Sequence, residues 1–297
     1  RRLTKLDPEY SAYFYNLGLF YKTRGRFQDG MAVNQQAVAL STETVEAYEW
    51  NLGICATGAG AGEVALAVWQ RMGQKIAPGR FGLPEGRYPS CKVRLAERPL
   101  AERDAATDSP GREETIWIER LSPCHGIVRS VLYEDLGVDY GDVVLFDGAP
   151  ITYHKYGDTQ IPVHPHLATL LRNDFAFYDF SATQAEAGNV DALNKALDGD
   201  AVVYVHSENM TFLCKTCWRD PKTDHERHES EEKHVVRGRI AVPPEISAAH
   251  FLRLLDAAVT EAENCQLYAP DLCAAAGDPK RAAVAQRRFD ILRGNRS

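Results

Sequence analysis

Apolar residues recur three and four positions apart through residues 9–76, which is the spacing of amphipathic α-helices. Gly25 and Gly60 interrupt this spacing, so the pattern predicts four helices that form two antiparallel hairpins. A turn-rich stretch follows, with Pro78, Gly79, Gly82, Pro84, Gly86 and Pro89. These residues end the helical pattern.

From about residue 113 the apolar pattern changes to short strand-like runs at 115–119, 126–133, 142–146, 175–180 and 201–206. The last two runs flank a helical run over 190–197, for which Asn189 is the expected N-cap. Strand, helix and strand within about 32 residues predict a βαβ crossover with parallel strand pairing. Residues 247–262 have the spacing of one more amphipathic helix.

Large and small residues alternate in the first helix pair, at Phe14, Leu17, Gly18, Tyr21, Gly25, Phe27, Gly30, Asn34 and Ala37. The pattern returns 35 residues later in Leu52, Gly53, Ala56, Gly60, Ala65 and Trp69. It resembles the tetratricopeptide repeat (TPR), whose period is about 34 residues. The resemblance implies stacked helix pairs that bind a protein or peptide partner. Asp7-Pro8 falls where a preceding repeat would end, so we expect further repeats upstream.

The predicted inward packing of Phe14, Leu17, Gly18 and Tyr21 leaves a second face on the first helix. Tyr15, Leu19 and Lys22 lie on that face and are the candidate partner-binding residues. Tyr15 is a suitable aromatic anchor for a peptide. The alternative is that an upstream helix covers part of this face.

Composition narrows the choice of partners. The 297 residues carry a net charge of −7, which argues against a general nucleic-acid binder because such proteins need a basic surface. No apolar run approaches the roughly 18 residues of a membrane span. The seven cysteines are odd in number and scattered, which indicates reduced thiols in a cytoplasmic protein.

A charged insert over residues 211–236 contains a candidate metal site. Cys214 and Cys217 form a C-x-x-C turn that brings two thiolates together, and His225, His228 and His234 follow. Two of these histidines would complete a Cys₂His₂ structural zinc site. The alternatives are a solvated loop without a ligand and a redox-active dithiol.

A second cluster surrounds the loop after the strand at 142–146. His154, Asp158, His164 and His166, together with Asp147, are candidates for holding a cation or for acid–base catalysis, because ordered loops at strand ends commonly carry such groups. The alternative is that these histidines are hydrogen-bonded to backbone carbonyls.

The patterns together predict an α+β multidomain protein. TPR-like repeats occupy residues 1–77, a linker 78–112, and an α/β domain with a βαβ unit and the zinc-binding insert 113–297. We expect a protein-interaction protein whose repeats bind a protein or peptide partner, without nucleic-acid or membrane partners. The alternative is a metal-dependent enzyme that modifies a recruited peptide or protein at the site around His154–His166.

Overall fold

The computed structural model describes residues 2–105, 107–156, 159–197, 201–206, 235–262 and 264–293. The chain divides into two compact units, Arg1–Arg172 and Asn173–Ser297. The first unit contains a helical array and a β-barrel, and the second contains an antiparallel sheet with helices. The stretch predicted as a linker, 78–112, belongs to the first unit and contributes strands to it.

The first unit begins with five helices: α1 (Arg2–Leu6), α2 (Ser11–Lys22), α3 (Phe27–Leu40), α4 (Glu46–Gly58) and α5 (Gly62–Arg71). Each of α2, α3 and α4 packs on the next helix, which gives two successive hairpins. Gly25 and Gly60 have positive φ angles in the turns between paired helices, a backbone conformation that glycine adopts without strain. Helices α2 to α5 are the four helices that the sequence predicted. Their assignment to the TPR family stays a prediction.

Close contact between the helices depends on glycine at equivalent positions of the two hairpins. A Cβ atom on Gly18 would overlap the Asn34 side chain, and one on Gly53 would lie 2.5 Å from the Trp69 ring. Asn34 Nδ2 donates to the Gly30 carbonyl at 2.7 Å and its Oδ1 accepts from Asn51 at 3.0 Å. The alternation of large and small residues therefore fixes how the helices stack.

Eight strands follow the helices: β1 (Ile76–Pro78), β2 (Pro84–Gly86), β3 (Cys91–Ala96), β4 (Glu113–Arg120), β5 (His125–Val128), β6 (Val143–Phe146), β7 (Thr152–Tyr156) and β8 (Thr159–Leu171). Five of them pair in the order β3-β4-β5-β6-β8, and β8 pairs back with β3 to close a barrel. Alternate residues such as Val93, Ile118 and Phe146 fill one buried cluster. The predicted α/β fold is therefore wrong for this region, which is a closed β-barrel.

The helical array packs against the barrel within the first unit. Leu52 and Trp69 of the helices share one buried cluster with Cys124, Leu145 and Leu167 of the barrel region. Leu145 of β6 thus faces the helices, whereas Val144 and Phe146 belong to the cluster inside the barrel. Val143 packs with Leu121 and Ile127 in a separate cluster. Both sides of β6 are buried, which explains its continuous apolar sequence.

The second unit contains β9 (Ala176–Gln184), α6 (Asn189–Ala192), β10 (Val202–Val205), β11 (Val235–Val242), α7 (Ala248–Ala262), β12 (Cys265–Tyr268), α8 (Pro270–Ala275) and α9 (Pro279–Arg293). The strand order is β10-β11-β9-β12, and every neighbouring pair is antiparallel. This is the order of a split βαβ, or ferredoxin-like, arrangement. The predicted parallel pairing is wrong because β11 lies between β9 and β10.

Candidate functional site: the two sides of helix α2

The predicted histidine cluster is divided between β7 and β8. His164 and His166 pair with Val93 and Phe146, two residues of the cluster inside the barrel, so both imidazoles point to that side of β8. Their exposed fractions are only 4% and 2%. His154 lies on β7 at the outer edge, and Asp158 lies outside the described residues.

Buried surroundings keep these histidines neutral. Burial lowers the pKa of His166 to about 4. Burial also lowers the pKa of His164, although a hydrogen bond between its Nδ1 and the Asp147 carbonyl, 2.9 Å long, opposes this effect. The pKa of His154 is lowered by burial and then by the nearby charges of Lys92 and Arg94. The site therefore consists of neutral imidazoles, two of which are buried.

The described residues contain no candidate metal site, because no three His, Cys, Asp or Glu side chains among them are placed to bind one ion. The predicted zinc ligands Cys214, Cys217, His225, His228 and His234 all lie outside the described residues, so the zinc site stays a prediction. Of the predicted insert, 211–236, the structure describes only residues 235 and 236, which begin β11.

The predicted partner-binding face of α2 is engaged by the chain itself. Lys22 forms an ion pair with Asp147, whose carboxylate lies 2.6 Å from the Lys22 Nζ, and the two side chains are 7% and 18% exposed. Tyr15 stacks on Tyr48 of α4 with the ring centroids 4.8 Å apart. Leu19, on the same face, is half-buried. This side of α2 therefore packs on α4 through Tyr15 and on the loop that follows β6 through Lys22.

Further contacts fix that loop against the helices. The Gly148 backbone lies against the ring of Trp50 on α4, and the Asp147 carbonyl is hydrogen-bonded to His164. One residue of the loop, Asp147, thus contacts both the helical array and the barrel strand β8. This loop therefore joins the helical array to the barrel. The Lys22 ammonium group is buried in the ion pair with Asp147 and is not exposed for a partner to bind.

Two buried thiols lie near this junction. Burial raises the pKa of Cys55 to about 12 and that of Cys124 to about 11. Both residues are fully buried. They are packed thiols in their protonated form, since a nucleophilic cysteine needs a lowered pKa and access to its substrate.

The opposite side of α2 forms an open groove with α1. It encloses about 590 Å³ and is lined by Leu3, Thr4, Tyr13, Asn16, Leu17, Phe20, Tyr21 and Arg26. Leu3 is 54% exposed and Phe20 is 48% exposed. The sequence pattern did not indicate this groove, because its spacing predicted Leu17 and Tyr21 inside the helical array. The available signal was Phe20, a large apolar residue outside both predicted faces of α2.

Positive charge lies at one end of the groove. The Arg24 guanidinium lies over the Phe20 ring, 3.9 Å from its centroid, and that of Arg26 lies 4.5 Å from the centroid of Tyr21. Arg26 is paired with Asp29 on the surface. Within the described part of the chain, Arg24 donates to the Phe20 carbonyl and to Thr23, and pairs with no carboxylate.

Two further observations bear on function. Across the residues that the structure describes, no helix has the length and apolar character needed to cross a membrane. No family model matches the chain, and comparisons with curated proteins and with solved structures find no match either. Any functional assignment therefore depends on the geometry of the chain itself.

Proposed function

We propose that this is a protein-interaction protein whose N-terminal helices bind a protein partner in the α1–α2 groove. The observation that carries the proposal is the open groove itself, where Leu3 and Phe20 expose about half of their surface beside Tyr13 and Leu17. Contiguous apolar surface rimmed by charge is typical of protein-binding sites. An aromatic residue at the centre of such a surface is a common anchor for a partner.

The other side of α2 supports binding less well. Lys22 is held by Asp147 and Tyr15 by Tyr48, so a peptide on that side would have to displace contacts that are already made. Displacing a buried ion pair leaves a desolvated charge, which costs several kcal/mol. The groove requires no such displacement at Phe20 or Leu3.

The alternative hypothesis, a metal-dependent enzyme with its site around residues 154–166, has less support from the geometry. His164 and His166 are buried with lowered pKa values, and His164 uses one ring nitrogen to bind the Asp147 carbonyl. A general base must reach the proton it removes from a substrate. The burial of these two imidazoles favours a structural role for them.

Selection from a phage-displayed peptide library against the full chain tests the proposal. Selected peptides should bind the wild type and the Ile291→Gln variant equally, and lose binding to Phe20→Gln. Ile291 is a matched control because it is another large apolar residue on a helix surface, 64% exposed and far along the chain. Peptides that bind the Phe20→Gln variant as tightly as the wild type, but do not bind the Leu19→Gln variant, would place the site on the other side of α2. That result would contradict the proposal.

A further inference from the structure

We infer that the partner segment is an α-helix that runs parallel to α2 and carries acidic residues in its C-terminal turn. The inference rests on the proposed function, since it describes the occupant of the same groove. It depends on two independent observations, which are the internal repeat of the helical array and the charge at one end of the groove.

The residues that line the groove on α2 have counterparts 35 positions later on α4. Tyr13 corresponds to Tyr48, Asn16 to Asn51 and Leu17 to Leu52, with the same residue type in each pair. Phe20 corresponds to Cys55. The face of α2 that lines the groove is therefore repeated on α4, within the helical array.

On α4 that face binds helices. Tyr48 stacks on Tyr15 of α2 and its hydroxyl lies 3.4 Å from that of Ser11. Asn51 donates to Asn34 of α3, and Cys55 accepts a hydrogen bond from the same Asn34 at 3.7 Å. Helix α2 thus packs against α3 and α4. Helix α1 precedes the C-terminal end of α3 by the same 35 positions and lies beside α2. The open groove therefore fits a helix placed on α2 as α2 is placed on α4.

The direction of the occupant follows from the same equivalence. The first turn of α2 contacts the first turn of α4 through Ser11 and Tyr48, and the middle of α2, at Gly18, meets Asn34, which accepts from Asn51 farther along α4. The two helices therefore run in the same direction. A helix placed equivalently on α2 also runs parallel to it and ends beside Phe20.

Charge specifies the end of that helix. Arg24 lies on Phe20, so a parallel helix would bring its C-terminal turn towards this guanidinium and towards Arg26. The carbonyl groups at a helix C-terminus carry partial negative charge, which favours nearby cations. Acidic side chains in the last turn would add charge-assisted hydrogen bonds to arginine. The occupant is therefore an amphipathic helix with one apolar face and an acidic C-terminal end.

Binding of three peptides, two of them stapled, to the full chain tests the inference by fluorescence anisotropy. All three are about 12 residues long, the length of α2, with the same Leu and Ala face. One ends in two glutamates, one ends in two lysines, and one has the glutamates but a central proline without a staple. We expect the Glu-ended helix to bind about tenfold tighter than the Lys-ended helix, and the proline peptide to bind at least about tenfold weaker.

Variants show whether the stated contacts cause these differences. The double variant Arg24→Gln and Arg26→Gln should bring the Glu-ended and Lys-ended helices within about twofold of each other. Phe20→Gln should abolish binding of both, whereas Ile291→Gln should leave it unchanged. Circular dichroism of each variant confirms that the helices are retained.

Each contrary result contradicts one stated part of the inference or of the proposed function. Equal affinity for the Glu-ended and Lys-ended helices contradicts the charge assignment, and equal affinity for the proline peptide contradicts the helical occupant. If none of the three binds, although library peptides still require Phe20, the inference falls and the proposed function stands. If light scattering shows a dimer that Phe20→Gln converts to a monomer, the occupant is a second copy of this chain. If no ligand of any kind depends on Phe20, the proposed function falls as well.

Discussion

The two sides of helix α2 differ in what covers them rather than in their composition. One side carries Tyr15 and Lys22, and the chain itself covers both through Tyr48 and Asp147. The other side carries Tyr13 and Phe20, and about half of the Phe20 side chain is exposed in a groove. A charged residue is thus buried and an aromatic residue is exposed on the same helix. Tertiary contacts, and not residue type, decide which side is available for a partner.

Removing Lys22 should have the largest effect on the covered side. Lys22→Ala leaves the Asp147 carboxylate partly buried without its cation, so we expect unfolding to become easier by about 3 kcal/mol. Urea denaturation followed by circular dichroism measures this change. Lys5→Ala on α1 is the control, because Lys5 is exposed and its loss should change stability by less than about 0.5 kcal/mol. Equal effects of the two substitutions would show that the ion pair is not structural.

Lowering the pH from 7 to 5 should destabilise the barrel region. Burial lowers the pKa of His125 and of His166 from 6.5 to about 4 in the folded chain. Between these values the unfolded chain binds more protons, so stability falls as the pH falls below about 6.5. Each histidine should account for about 2 kcal/mol at pH 5.

Urea denaturation at pH 7 and pH 5 measures the loss, and His166→Gln should reduce the difference between the two pH values. The same dependence on pH in wild type and variant would mean that His166 does not titrate as a buried neutral imidazole.

Substitution of Gly53 should weaken the helix stacking by a smaller amount. Gly53→Ala places a methyl group against the Trp69 ring, and the overpacking should cost about 2 kcal/mol. Trp69→Phe removes part of that ring, so a double-mutant cycle should show a coupling of about 1 kcal/mol between the two sites. Additive effects of the two substitutions would contradict the packing described for these helices.

The smallest effect on stability is expected in the groove. Phe20→Gln removes an apolar side chain that is already 48% exposed and replaces it with a good helix former. The free energy of unfolding should therefore change by less than about 0.5 kcal/mol, while partner binding is lost. A loss of about 2 kcal/mol or more in the same urea experiment would mean that Phe20 belongs to the core and not to a binding surface.

Local sequence patterns predicted several elements of this chain correctly, but they missed the strands β7 and β8 and predicted the assembly poorly. The helical hairpins, the strand at 142–146 and the helix at 247–262 follow from periodicity and turn residues, which act over a few positions. Barrel closure depends on the pairing of Val93 with His164, and the position of β11 between β9 and β10 depends on the order of the sheet. Neither is encoded in any local spacing, because strands that pair need not be neighbours in sequence.

The candidate site shows the same limit. Helical geometry placed Tyr15, Leu19 and Lys22 together on one face of α2, but it could not show that Asp147, from a loop far along the chain, would pair with Lys22. The histidines of β8 were recognised as a group, yet their burial depends on barrel closure. The repeat of Tyr13, Asn16 and Leu17 at a spacing of 35 residues was readable from sequence, and only the fold shows that one copy is covered and the other open.

Hydrogen–deuterium exchange of the full chain, with and without the Glu-ended helix at saturation, tests the central claim most directly. We predict slower exchange in α1 and α2, with no change in the loop from Asp147 to Ile151, because the ligand occupies the groove and leaves the covered side intact. Slower exchange in the Asp147 loop or in β8, with α1 unchanged, would contradict the claim and place binding on the other side of α2.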